Sequence, residues 1–291
     1  MGELDQQVRL SDGRALGYAE YGARSGWPVL FFHGYPGSRL DAALGAPAAL
    51  DAGARLISID RPGYGLSDFK PGRRIPDWPA DVLELAQALG LERFAVMGVS
   101  GGGPYAAACA RFIPERLSAV AIVCGVGPFD APDATRGMSR QNRILFAVGR
   151  YAPWLVGLAM RAMLRSVERD PDAMLKRMSS ALPQVDRDVL ARPEVRSALI
   201  AGMSEAGRQG VRGISQEAAL YARPWGFDLA EIEIPVCLFQ GEVDQNVPPG
   251  MGRHQASAIP NCRARFYPEE GHMSLAFDRQ SDVLAALAAG A

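Results

Sequence analysis

Residues 93–112, RFAVMGVSGGGPYAAACARF, decide the fold. The apolar run at 93–99 predicts a buried β-strand, and the alanine-rich run at 105–112 predicts a helix. Between them, residues 98–102 match the pattern G-x-S-x-G. In this pattern the serine occupies a tight, strained turn from strand to helix, and glycines are needed because neighbouring backbone comes too close for side chains. Since both the strand and the helix are present, we predict that Ser100 is a nucleophile.

Short runs on both sides of this stretch predict further strands. They lie at 14–21, 28–33 (PVLFFH), 55–60 (RLISID), 117–124 (LSAVAIVC), 234–240 (IPVCLFQ) and 263–267. Buried apolar strands that alternate with helices form a mostly parallel sheet covered on both faces, so we predict an α/β fold. Such sheets carry their active groups on loops at the carboxyl ends of the strands.

The pattern changes between residues 130 and 221, which are rich in Arg, Met, Ala and Leu and contain no convincing strand. Apolar residues recur there at helical spacing, which predicts an inserted helical segment. We therefore expect a core domain made of residues 1–127 and 226–291, interrupted by a helical insertion at 128–225.

Composition and charge argue against several classes of function. The 291 residues are 48% apolar and carry 31 basic and 32 acidic side chains, so neither a nucleic acid nor an acidic membrane is expected as partner. The longest apolar stretch, 144–160, is interrupted by Arg150 and Pro153 and is too broken to span a bilayer. Residues 1–10 lack the apolar core of a signal peptide, so we expect a cytoplasmic protein.

The four cysteines do not indicate a metal site, because they are scattered and show no C-x-x-C spacing. A chain of this size buries a sizeable core without disulfides. We expect no metal and no organic cofactor, and the sequence does not indicate an oligomeric state.

A serine nucleophile needs a general base, and the chain has three histidines. His272 lies between the last predicted strand and a helix predicted at 274–289, at the sheet edge where a base would reach Ser100. His33 ends a strand and is expected to brace the following loop, and His254 falls in a predicted surface helix. We therefore predict that His272 is the base.

The base needs an acidic partner that fixes its tautomer and stabilises the imidazolium. Asp244 follows the strand at 234–240 and gives the chain order Ser, Asp, His. Glu242 is the nearest alternative, and Asp130, after the strand that ends at residue 124, is a more distant one.

Five motifs together carry a family resemblance. They are HGYP at 33–36, DRPGYGLS at 60–67, GVSGG at 98–102, GEVDQNVP at 241–248 and GHMS at 271–274. With them the chain resembles the α/β-hydrolase superfamily over most of its length outside the insertion. The resemblance implies that the insertion is a lid over the active site, and that the loop at 60–67 is structural.

The resemblance also implies that the His-Gly loop supplies the second donor of an oxyanion hole. Pro36 has no N–H, so Tyr35 is the best candidate, beside the N–H of Gly101.

Several subfamilies fit less well. HGYP is similar to the H-G-x-P of epoxide hydrolases and haloalkane dehalogenases, but those enzymes use an aspartate where this chain has Ser100. Proline iminopeptidases carry a tryptophan where this chain has Gly101. Carbon–carbon bond hydrolases of aromatic degradation show S-M-G-G, whereas this chain reads S-G-G-G.

The expected function is a serine hydrolase that cleaves a small-to-medium, largely apolar carboxylic ester through an acyl-enzyme on Ser100. Its expected partner is therefore a small-molecule substrate. Two alternatives stay open: another reaction in the same pocket, such as carbon–carbon hydrolysis or perhydrolysis, and a ligand receptor with slow or no turnover.

The substrate pocket is expected beneath apolar residues of the insertion, above all Phe146, Trp154 and Leu158. The competing interpretation is that most of these side chains pack the helices of the insertion against one another.

Overall fold

The computed structural model describes residues 3–180 and 182–290. Its centre is an eight-stranded sheet in the order β1-β2-β4-β3-β5-β6-β7-β8. The strands are β1 (Gln6–Arg9), β2 (Ala15–Gly22), β3 (Trp27–Phe32), β4 (Ala54–Ile59), β5 (Phe94–Val99), β6 (Leu117–Val123), β7 (Val236–Gly241) and β8 (Cys262–Tyr267). β2 pairs antiparallel with both of its neighbours, and β3 to β8 are parallel to one another. The predicted, mostly parallel α/β sheet is confirmed.

Helices flank the sheet and fill the connection between β6 and β7. Those around the sheet are α1 (Ala46–Asp51), α2 (Trp78–Ala88), α3 (Gly103–Phe112), α10 (Pro249–Ala258), α11 (His272–Asp278) and α12 (Gln280–Ala288). Those of the connection are α4 (Arg140–Tyr151), α5 (Pro153–Arg169), α6 (Pro171–Ser179), α7 (Gln184–Leu190), α8 (Pro193–Ala206) and α9 (Arg212–Tyr221). Among the described residues, no helix has the length and apolar character that crossing a membrane requires.

The core lies on both faces of the sheet because successive residues of its inner strands point to opposite sides. In β3, Leu30 and Phe32 pack on one face with side chains of α2 and α3. Val29 and Phe31 pack on the other face with side chains of α11 and α12. Burial on both faces explains why these strands are nearly continuous apolar runs in the sequence.

The strand order reverses at β3, which lies between β4 and β5. In open α/β sheets, ligands bind outside the carboxyl ends of the strands at such a reversal. Phe32, the last residue of β3, pairs with Gly98 of β5, so the loops that follow these two strands lie side by side. This places the HGYP loop next to Ser100.

Both ends of the chain differ from the predicted elements. Residues 6–9 form β1 on β2, although this polar segment carries no strand signal in the prediction. The single helix predicted at 274–289 is two helices, because Arg279 between them has the non-helical dihedrals φ −105° and ψ 17°. α11 begins at His272, so this histidine opens a helix instead of lying in the preceding loop.

Buried ion pairs tie the inserted helices to the sheet domain. Glu217 of α9 is fully buried and accepts hydrogen bonds from Arg61, at 2.8 and 2.9 Å, and from Arg73, at 2.9 Å. The hydroxyls of Tyr64 and Tyr105 donate to the same carboxylate at 2.6 and 2.7 Å. A buried charge is tolerated when it is paired and hydrogen-bonded in this way.

Candidate active site

Ser100 lies at the carboxyl end of β5, on the turn into α3. Its φ of 54° puts it in the left-handed region, which is strained for a residue with a side chain. A Cβ on Gly98 would lie 2.4 Å from the Gly102 carbonyl oxygen, and one on Gly102 would lie 2.1 Å from that of Phe32. The turn is therefore as tight as G-x-S-x-G predicts, and Ser100 lines a cavity.

The structure brings Ser100, His272 and Asp244 together in a line. His272 Nε2 lies 2.9 Å from Ser100 Oγ, and His272 Nδ1 lies 2.7 Å from Asp244 Oδ2. An ionised carboxylate only accepts hydrogen bonds, so Nδ1 carries a proton, and in the neutral imidazole Nε2 is free to accept one from the serine. This arrangement has the geometry of a nucleophile, a base and an orienting acid.

Asp244 is held in place by the turn that follows β7. Its Oδ1 accepts the backbone N–H groups of Asn246 and Val247 at 2.8 and 2.9 Å. The two alternative acids lie elsewhere: Glu242 pairs with Arg253 at 2.6 Å, and Asp130 is exposed. Of the three predicted acids, Asp244 is therefore the one whose carboxylate reaches the His272 ring.

The two buried histidines have opposite electrostatics. Burial disfavours the imidazolium of His272, but the adjacent Asp244 carboxylate outweighs burial and raises the pKa of His272 well above its ordinary value. Burial and the Arg61 guanidinium lower the pKa of His33 well below its ordinary value. His33 accepts the Arg61 N–H at Nε2, and its Nδ1 lies 2.9 Å from the Gly34 carbonyl oxygen. A neutral His33 therefore braces the loop, while His254 lies away on α10.

The two predicted oxyanion donors lie beside each other. Gly101 is in the first turn after β5, where helical N–H groups lack intrahelical acceptors. A Cβ on Gly101 would lie 2.9 Å from the Cβ of Tyr35, so the two residues are close neighbours. In residues 3–180 and 182–290, the Tyr35 N–H has no protein acceptor. The Tyr221 hydroxyl donates to the Gly101 carbonyl at 2.8 Å and so holds the Gly101–Gly102 peptide, which directly follows the peptide that carries the Gly101 N–H.

A cavity of about 390 Å³ opens in front of Ser100 and His272. Its walls are mostly apolar and come from both the sheet domain and the inserted helices, including Leu145, Phe146, Met160, Met163, Met174 and Leu199. Phe146 is 6% exposed and packs against Phe129 at a centroid distance of 4.8 Å. The structure therefore places Phe146 at the cavity, as the sequence suggests.

Trp154 and Leu158 require a correction, because they are 65% and 54% exposed and do not line the cavity. The buried stripe of α5 contains Val156, Met160 and Val167. At about 100° per residue, Trp154 and Leu158 lie roughly half a turn away from this stripe. Apolar character alone does not reveal which face of an inserted helix turns inward.

The cavity wall also contains the carboxyl group of Asp41, which is not among the predicted site residues. Burial raises the pKa of Asp41 to about 7, and the Ser38 N–H, which donates to its Oδ1 at 3.2 Å, opposes this rise. Ser38 and Asp41 form a helix-capping box. The pattern S-x-x-D after HGYP is the sequence signal that could have indicated Asp41. That pattern predicts the cap but not the cavity.

A group of potential metal ligands coincides with the same site. Atoms of Cys124, Asp244 and His272 lie within 4.8 Å of one another. Asp244 and His272 already direct their facing atoms at each other, and the Cys124 thiol donates to the His272 carbonyl at 3.8 Å. The facing atoms of Asp244 and His272 are therefore already engaged with each other in the line that leads to Ser100.

Comparison with known proteins agrees with this architecture. The family profile described as alpha/beta hydrolase fold matches residues 28–278. A non-heme chloroperoxidase of Streptomyces lividans is 38% identical over 123 residues, which are 42% of this chain and 45% of the relative. A non-heme haloperoxidase of Rhodococcus erythropolis is 25% identical over 91% of this chain and 92% of the relative.

Among solved structures, a hydrolase from Pseudomonas aeruginosa PA01 has a TM-score of 0.70 at 22% identity and covers 98% of this chain and 97% of its own. This likeness concerns the fold alone. The match to the chloroperoxidase spans less than half of that relative's length. The family profile, by contrast, extends from β3 to the end of α11 and includes every residue of the Ser–His–Asp line. The chain therefore belongs to the α/β-hydrolase fold family.

Proposed function

We propose that the protein is a serine hydrolase that cleaves small-to-medium, largely apolar carboxylic esters through an acyl-enzyme on Ser100. The observation that carries the proposal is the line from Asp244 through His272 to Ser100, with separations of 2.7 and 2.9 Å, at the wall of a cavity. A serine hydroxyl is a weak nucleophile until a neighbouring base takes its proton.

In the acylation step, Ser100 Oγ attacks the ester carbonyl carbon while His272 Nε2 takes the hydroxyl proton. Asp244 stabilises the imidazolium that forms. His272 then gives the proton to the leaving alcohol, and the acyl group stays on Ser100. In the second step His272 takes a proton from water, the water oxygen attacks the acyl carbon, and Ser100 recovers its proton as the acid leaves.

The negative charge on the carbonyl oxygen would be held by the N–H groups of Gly101 and Tyr35. Both lie at the carboxyl edge of the sheet beside Ser100, and the Tyr35 N–H has no protein acceptor among the described residues. Losing one such donor typically costs about 10²–10³ in rate.

The substrate class follows from the cavity. A volume of about 390 Å³ falls at the lower end of the range of small-molecule sites. Met160, Met163 and Met174 line it, and methionine side chains adapt to differently shaped apolar groups. Since helices of the 128–225 insertion supply these residues, we propose that the insertion acts as a lid over the core domain formed by 1–127 and 226–291.

Perhydrolysis is the second candidate, and the likeness to a chloroperoxidase favours it. Hydrogen peroxide would replace water as the nucleophile that attacks the acyl-enzyme, and a peracid would leave in place of the acid. The same Ser100 and His272 would serve both reactions.

The test is steady-state hydrolysis of p-nitrophenyl esters of increasing acyl length by wild type, Ser100→Ala and the control Ser257→Ala. Ser257 is exposed on α10, so its variant should keep the wild-type rate. We expect turnover that Ser100→Ala abolishes without loss of fold. Turnover that survives in Ser100→Ala would contradict the proposal.

Added hydrogen peroxide separates the two reactions. Peracid that forms at a rate comparable to hydrolysis, and disappears in Ser100→Ala, would favour perhydrolysis. Ligand binding with no turnover of any ester or diketone would instead favour the receptor hypothesis.

A further inference from the structure

The fully buried Asp186 of α7 touches the backbone that carries the base. Its Oδ2 accepts the N–H of His272 at 2.9 Å, and its Oδ1 accepts those of Met273 and Ser274 at 2.9 and 3.0 Å. These N–H groups open α11, where a helix offers no acceptor of its own. One carboxylate of the inserted helices thus satisfies three donors of the sheet domain.

Asp186 also lies in close contact with Gly271, the residue before His272. A Cβ on Gly271 would lie 2.4 to 2.5 Å from the carboxyl atoms of Asp186, so only glycine fits there. The Gly271 N–H in turn donates to Ser274 Oγ at 2.8 Å. Within residues 3–180 and 182–290, Asp186 forms no ion pair, so backbone amides alone offset its charge. Amide bonds to an ionised carboxylate are roughly twice as strong as neutral ones.

We propose that Asp186 is a positioning residue that holds the His272 backbone so that the imidazole faces both Ser100 and Asp244. This inference rests on the proposed function. Asp186 does not line the cavity, so it acts through His272 and not on the substrate. His272 keeps this orientation only while α7 packs against the start of α11. Catalysis therefore requires that this helix of the insertion be packed on the sheet domain.

The test compares Asp186→Asn with Asp188→Asn on the same helix. Asn has the shape of Asp, but its amide NH₂ would face a backbone N–H in place of an acceptor oxygen. Asp188 is exposed, and its one side-chain hydrogen bond within the described residues comes from Gln184, so it serves as the control. We expect kcat to fall by about 10- to 100-fold in Asp186→Asn, because displacing a catalytic group by about 1 Å can lower the rate by up to about 100-fold. KM should change by less than about threefold, and Asp188→Asn should match wild type.

Gly271→Ala approaches the same contact from the other side. Its Cβ should displace the Asp186 carboxylate and lower kcat by a similar factor. In an Asp186→Ala background the methyl group has room, so the further loss caused by Gly271→Ala should be small. A full additional loss in that background, or a kcat of Asp186→Asn within about twofold of wild type, would overturn the inference.

The proton resonance of His272 Nδ1–H gives a readout that needs no turnover. We expect a downfield signal in wild type and in Asp188→Asn, and its loss or exchange broadening in Asp186→Asn at a temperature where that variant is folded. An unchanged signal would overturn the positioning role. If Ser100→Ala keeps ester turnover, the proposed function fails, whereas the resonance still decides whether Asp186 positions His272.

Discussion

Asp244 contacts the imidazole of His272 from the side opposite Ser100, and this contact sets which ring nitrogen can act as a base. Its other oxygen is occupied by two backbone N–H groups, so the carboxylate cannot turn away. The Asp244 side chain is thus held by its own turn, the His272 N–H bonds to Asp186 of α7, and Ser100 lies on the strained turn after β5. Three separate elements determine one line of three side chains.

Asp244→Asn should lower kcat by about four orders of magnitude, because an amide in place of the carboxylate favours the wrong imidazole tautomer. The rate of p-nitrophenyl ester hydrolysis measures the loss. Glu242→Gln is the matched control, since Glu242 pairs with Arg253 on the surface and should be replaceable without effect. A near-wild-type rate for Asp244→Asn, with a large loss in the control, would move the acid to Glu242.

Each inserted helix that lines the cavity does so with one of its faces only. Phe146 of α4 lies at the cavity, whereas Trp154 at the start of α5 points outward. The difference comes from helical phase and from which neighbour each helix packs against.

Phe146→Ala should move the preferred acyl chain to greater length, because it removes a ring from the cavity wall. It should also destabilise the fold by about 3 kcal/mol, as large-to-small changes at buried sites do. Trp154→Ala should leave both the length preference and kcat/KM within about twofold of wild type. A chain-length series of esters, read together with urea denaturation, checks both expectations. An altered length preference in Trp154→Ala would mean that this side chain reaches the substrate.

The inner strands and the Ser–His–Asp line were predictable from the sequence because local patterns express them. Burial on both faces produces the apolar runs of β3 and β5, and the tight turn at Ser100 requires its glycines. Chain order after the strands then singles out Asp244 and His272.

The contacts of Asp186 and Glu217 were not predictable in this way. Asp186 meets partners 86 to 88 residues away. Glu217 meets partners 112 to 156 residues away. Which helix of the insertion comes against which loop depends on the packing of the whole segment, and no local pattern of either acid encodes it.

A buried cluster of ion pairs, formed by Arg61, Arg73 and Glu217, joins the insertion to the sheet domain. Arg61 donates to both carboxylate oxygens of Glu217 and also to the carbonyls of His33 and Gly34, which precede Tyr35. The cluster that attaches α9 to the sheet domain therefore also holds the loop proposed to bind the oxyanion. Loss of this cluster should affect stability and rate together.

Glu217→Gln should destabilise the protein by about 3–5 kcal/mol at pH 7, because it leaves the Arg61 and Arg73 charges buried without a carboxylate. Burial alone would raise the pKa of Glu217, but the two guanidiniums lower it below its ordinary value. A depressed folded-state pKa stabilises the fold above the unfolded value, about 4.3, and this contribution is lost as the pH falls below it. The difference in unfolding free energy between wild type and Glu217→Gln should therefore be largest near pH 7 and shrink on acidification.

Urea denaturation between pH 7 and pH 3 measures that difference, with Glu194→Gln as control because Glu194 is exposed on α8. A pH-independent difference would mean that Glu217 acts through shape and not through charge. The difference in unfolding free energy should instead shrink on acidification, and kcat of the folded Glu217→Gln variant should also drop. These two results together would mean that the packing of α9 is coupled to the oxyanion loop through Arg61. Both the base and the oxyanion loop would then depend on carboxylates that the inserted helices bring to the sheet.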